Sequence, residues 1–180
     1  MRRAGRSGVP AADGAGGAGG SGAPTIRYNG GLPIFFSAAM FTPSSHDVRR
    51  FFCEAYRKQQ AGEILGPMEA IAADWIANHP EYAGDLGDAE AAIARDYAVE
   101  TGKTNPFLHL SMHLSISEQI SIDQPPGIRD AFNSLEAKLG QHEAQHRIME
   151  CLGEMIWTSQ RNNTPPDAAA YLECVKKGIR

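Results

Sequence analysis

Four of the six histidines stand in two H-x-x-x-H pairs, His109/His113 and His142/His146, where chance supplies about 0.2 such pairs in a chain of this length and histidine content. On a helix, residues four apart share a face, so each pair aims two imidazoles at one point, a spacing that suits a shared metal ion. At about 100° per residue, His113 falls about 40° from His109, and Ile116 and Ile120 complete an apolar stripe around them. Glu118 lies about 180° away and is no co-ligand. In the second pair, Glu150 prolongs an i, i+4, i+8 stripe that Gly153 and Trp157 continue, a glycine for close helix approach and a tryptophan that wants cover. His109, His113, His142, His146 and Glu150 together form a nitrogen and oxygen donor set suited to a divalent transition metal: zinc, iron or manganese. The same residues also fit a non-enzymatic helical interaction module, in which the imidazoles form a buried polar network without an ion.

Residues 142–146, His-Glu-Ala-Gln-His, match the H-E-x-x-H of zinc peptidases, with Glu143 as the weak candidate for a catalytic base. Such enzymes align substrate along a sheet edge and need a third ligand, for which Glu150 or Glu173 would have to serve. Glu143 and His146 also supply half of a di-iron carboxylate pattern, but no glutamate stands three residues before His109 or His113. His46 and His79 read as surface or capping groups, one in a first helical turn and one beside Pro80. Phe51, Phe52, Trp75 and Phe132 read as core.

Helices must position these residues. Ser44 and Ser45 cap a helix to about Gln60, ended by Gly62; Pro67 opens a second that Pro80 stops; Asp88 caps a short one to about Tyr97. Asn105-Pro106 opens a segment to Ile122, Ile128 to Leu139 forms the next, a long helix runs from Gln141 to about Arg161, and Asp167 caps a last one to Lys176. The expected fold is all-α, a compact helical bundle of about five main helices plus short ones. One segment conflicts with it: Leu108, Leu110, Met112, Leu114 and Ile116 alternate with polar residues at the period of a strand. The Asn-Pro start, the Glu118-Gln119 continuation and the lack of a partner strand favour helix. The choice decides the site, because a strand would part His109 from His113 by about 13 Å.

Composition divides the 180-residue chain at Met40. Ten of the 19 glycines precede it, as do four arginines against one acid, whereas thirteen basic and twenty acidic residues follow. Residues 1–39 read as a disordered Gly/Ala-rich extension that a mis-assigned upstream start, ahead of a true start at Met40, would account for, and 40–180 as a single helical domain. An acidic body argues against nucleic acid and anionic membranes, leaving a protein partner or a homo-oligomer. Cys53, Cys151 and Cys174, an odd number without C-x-x-C spacing, suggest free thiols and a cytoplasmic location.

The chain also resembles a bacterial family known as domain of unknown function 1841. The resemblance rests on Met40-Phe41 with Val48-Arg49-Arg50-Phe51-Phe52, on His79-Pro80-Glu81-Tyr82, on Asn105 through His113, on Ile122 through Ile128 and on His142 through Trp157. It implies a domain beginning near Met40 and brings no activity, cofactor or catalytic residue with it.

Overall fold

The computed structural model describes residues 43–97 and 104–179. The expectations for residues 1–39 and for a start at Met40 lie outside the described residues. Among those described there are eight α-helices and no strand: α1 Ser45–Ala61, α2 Pro67–Ala77, α3 Ala83–Leu86, α4 Ala89–Ala94, α5 Pro106–Ile122, α6 Ile128–Leu139, α7 Gln141–Asn162 and α8 Ala168–Lys177, with a 3-10 turn at Pro80–Tyr82.

Local chemistry accounts for where the helices begin and end. Ser44 and Asp47 form a reciprocal capping box at α1, the serine hydroxyl accepting from the Asp47 N–H at 3.2 Å and the carboxylate from the Ser44 N–H at 2.9 Å. Gly62 then takes the left-handed conformation, φ 66°, that ends the helix without a Cβ penalty. Glu69 accepts the Gly66 N–H at 2.8 Å and the Lys58 ammonium at 2.7 Å, tying the start of α2 to α1. Asn105 settles the conflict over 108–116: its side chain accepts from the N–H groups of Phe107 and Leu108 at 3.0 and 3.2 Å, with Pro106 in the first turn.

The strand-like alternation in α5 has a physical origin. Pro106, Phe107, Leu110, His113, Leu114, Ile116 and Gln119 are all buried, so α5 is covered on nearly every side and no polar face is needed. Its serines are small fillers whose hydroxyls bond back along the helix, Ser111 to the Phe107 carbonyl at 2.6 Å and Ser117 to that of His113 at 2.9 Å. The N-terminal half of α5 packs Phe107, Leu110 and Leu114 with Phe52, Trp75, Ile76 and Leu86, and its C-terminal half packs Ile116 with Ile128, Leu135, Ile148, Leu152 and Tyr171. His113 lies at the join of these two clusters, three residues after Leu110 and three before Ile116.

The cysteine expectation is corrected. Cys151 on α7 and Cys174 on α8 form a disulfide, leaving only Cys53 free among the cysteines. An odd count without a close pair hid a bond across 23 residues, made by helices whose packing the sequence does not specify. The step from three free thiols to a cytoplasmic location loses its support. What holds is that no described helix is long and apolar enough to cross a membrane. Burial pushes the Cys53 thiol up to about 11, so it is inert while folded. Protein denatured without reductant should therefore expose one reactive thiol and, after reduction, three. Cys174→Ala should cost about 3 kcal/mol, from the closure entropy of the loop alone. Three thiols without reductant would contradict the bond.

Candidate metal centre

Three parts of the chain deliver five imidazoles to one place. The first is the end of α2, where Pro80 disfavours helical geometry at the residue before it, so His79 leaves the helix with φ −127° and ψ 63°. It is only 4% exposed. The second is α5, which carries His109 and the fully buried His113, and the third is the first turns of α7, with His142 and His146.

Their Nε2 atoms converge. His79 Nε2 lies 3.0 Å from that of His113, 3.3 Å from that of His109 and 3.1 Å from that of His142. His109 Nε2 is 3.2 Å from those of both His113 and His146. One ring nitrogen from each of His79, His109, His113 and His146 lies within 4.8 Å of all the others, with His142 joined through His79. Nitrogens bound at about 2.1 Å to one ion stand about 3.0 Å apart in an octahedral face and about 3.4 Å apart in a tetrahedron. The triangle of His79, His109 and His113 falls between those limits.

Outer partners decide which nitrogens carry protons. Ser117 donates its hydroxyl proton to the His113 carbonyl, so its oxygen is left to accept from the Trp75 indole N–H at 2.9 Å and the Gln145 amide N–H at 3.1 Å. That turns the Gln145 carbonyl oxygen to His113 Nδ1, 2.9 Å away, which must donate. His79 Nδ1 likewise donates to the Glu81 carboxylate at 2.8 Å. A neutral imidazole with its proton on Nδ1 has a bare lone pair on Nε2. Two lone pairs therefore face each other across 3.0 Å in a buried place. Trp75 stacks on His113, centroids 4.1 Å apart and planes within 12°, and prevents it from turning away.

A further proton on His113 is no remedy, because burial keeps that imidazole neutral. It pushes His113 down to about 3, against a smaller opposing effect of the Gln145 hydrogen bond, and His109 down to about 4, helped by the neighbouring histidines. His142 and His146 are lowered as well, first by burial and then by the imidazoles beside them. The hydrogen bond from His79 holds the Glu81 carboxyl below its usual range.

Of the residues singled out in the sequence, the structure brings together His109, His113, His142 and His146 and leaves out Glu150. Glu150 is exposed, 2.8 Å from the Arg147 guanidinium, because eight residues of helix carry it about 12 Å along the axis from His142. Trp157, further along that stripe, is 41% exposed with Arg161 over its ring, so the tryptophan end of the stripe is open to solvent. Glu143 is exposed and hydrogen-bonded to none of the histidines, and Glu173, the other would-be peptidase ligand, is also exposed and pairs with Lys176. His46 is exposed, in keeping with its surface reading. His79 is not a surface group but the hub of the cluster, and Trp75 is a wall of the site as well as core. A partial signal for His79 was present: it stands four residues after the buried Trp75, but α2 ends at Ala77, so helical spacing alone does not carry it onto that face. Glu81, Gln145 and Ser117 gave no such signal, because their roles depend on which helices meet.

The family described as Domain of unknown function (DUF1841) matches residues 44–177. The chain belongs to this family. The matched span of this DUF1841 domain holds all five clustered histidines together with Trp75, Glu81, Ser117 and Gln145. No curated protein and no solved structure matches the chain.

Proposed function

We propose that this DUF1841 domain binds one divalent transition-metal ion through His79, His109, His113 and His146, with His142 as a fifth donor. The observation that carries the reading is the pair of Nε2 lone pairs on His79 and His113, each fixed by a partner on its Nδ1 and facing the other at 3.0 Å. Opposed lone pairs repel, and a cation between them turns the repulsion into two bonds. Carboxylate or amide partners on the outer nitrogens are the usual way in which proteins orient metal-binding imidazoles.

An all-imidazole donor set suits zinc, iron, nickel and copper, whereas manganese favours oxygen donors. With Glu150 outside the cluster, zinc and iron are the favoured ions and manganese loses its ligand. Untagged protein, purified without chelator, should carry close to one equivalent of metal by elemental analysis. His146→Ala should lower that content and the melting temperature, and His46→Ala should change neither. A metal-free preparation that is stable and indifferent to added zinc and iron would sink the reading and favour the interaction module with a buried histidine network.

A further inference from the structure

We propose that the centre has an exchangeable coordination position on its solvent side, next to His142, and that this position takes one small monoanion, hydroxide included. The inference rests on the metal reading above and goes beyond it in naming the ligand class. Five nitrogens leave one position of an octahedral set free, and four leave more. His79 and His113 are buried, whereas His109, His142 and His146 are partly exposed, so a free position opens on the side that those three border. His142 is the marginal member. It stands second in α7, two residues after the positive-φ Gly140 that precedes the helix, and it meets the cluster through His79 rather than through the mutually close four.

Charge selects the ligand. Every donor is a neutral imidazole, and Glu81 is the only carboxylate hydrogen-bonded to any of them among the described residues. Glu143 and Glu150 are exposed, and Glu150 is held by Arg147. A dication with one compensating carboxylate keeps one positive charge in a partly buried place, where charge is costly until paired. One monoanion restores neutrality. A water molecule does so by losing a proton, and azide, cyanate or formate does so directly.

Protein loaded with cobalt(II) and titrated with azide tests this through the visible bands of the ion. The expected result is a saturable one-to-one spectral change. His142→Ala removes the donor beside that position, leaves the ion one ligand short and should tighten azide binding rather than abolish it. Glu81→Gln keeps an acceptor for His79 Nδ1 but removes the charge, and should also tighten azide binding. A cobalt spectrum that azide leaves unchanged would overturn the exchangeable position while leaving the metal reading standing. Azide binding unaltered or weakened in Glu81→Gln would overturn the charge argument, and failure of cobalt to bind at all would remove both.

Discussion

Replacing His79 by alanine is expected to weaken metal binding by more than about a hundredfold, since loss of a mere outer partner of a ligand already costs 10- to 100-fold. His79 Nε2 lies within 3.3 Å of the nitrogens of His109, His113 and His142, as many neighbours as His109 has, and it ties His142 to the rest. At free ion about 1,000 times the dissociation constant, the native state gains about 4 kcal/mol; a hundredfold weaker site at the same concentration keeps about 1.4 kcal/mol. Most of the metal-dependent rise in melting temperature should therefore vanish in His79→Ala. The measurement is thermal unfolding of variant and wild type, each with chelator and with zinc. Glu81→Gln provides the comparison, because it preserves the Nδ1 acceptor and should lose far less. Equal zinc-dependent shifts in His79→Ala and wild type would show that the hub is no ligand.

How much of this centre was legible in the sequence depends on how local each signal was. Helix ends were legible, because Ser44 with Asp47, Asn105 with Pro106 and Asp167 cap their own neighbours. The two H-x-x-x-H pairs were legible because i, i+4 geometry belongs to one helix. The strand-like pattern at 108–116 misled because alternation reports one covered face, and α5 is covered on nearly all of them. Glu150 was misplaced because each step of four residues turns a side chain about 40° further round the helix, and the second step from His142 turns it out to solvent. His79 was missed because a histidine before proline at a helix end has two local explanations that need no bundle. The bond between Cys151 and Cys174 was missed for the same reason as Gln145 and Ser117: each depends on the meeting of two helices, which no local periodicity encodes.

The metal-free protein should lose stability steeply between pH 6.5 and pH 5, well above the range in which its carboxylates titrate. In the unfolded chain an imidazole protonates near pH 6.5. In the folded protein burial pushes His113 down to about 3 and His109 down to about 4, so between those values and 6.5 the unfolded state binds more protons than the native one. Stability then rises with pH: the contribution is fully present above about pH 6.5 and is lost as pH falls toward the folded values. At pH 5 each of these two groups has lost about 2 kcal/mol relative to neutral pH, or about 4 kcal/mol together, a large part of the 5–15 kcal/mol that holds a domain folded. His142 and His146, also lowered, act in the same direction. Glu69 and Glu81 have lowered values too, but their contribution is lost only as pH falls below the ordinary carboxylate range. Urea unfolding at pH 7.5 and pH 5 in the presence of chelator measures the loss. Saturating zinc should delay it to lower pH, because each proton must displace the ion before it reaches a ring nitrogen. His46→Ala should follow the wild-type curve, since His46 is exposed and outside the cluster. An unchanged urea midpoint at pH 5 would mean that the histidines are not held neutral in the fold, and the opposed lone pairs of His79 and His113 would then have a proton rather than a metal to separate them.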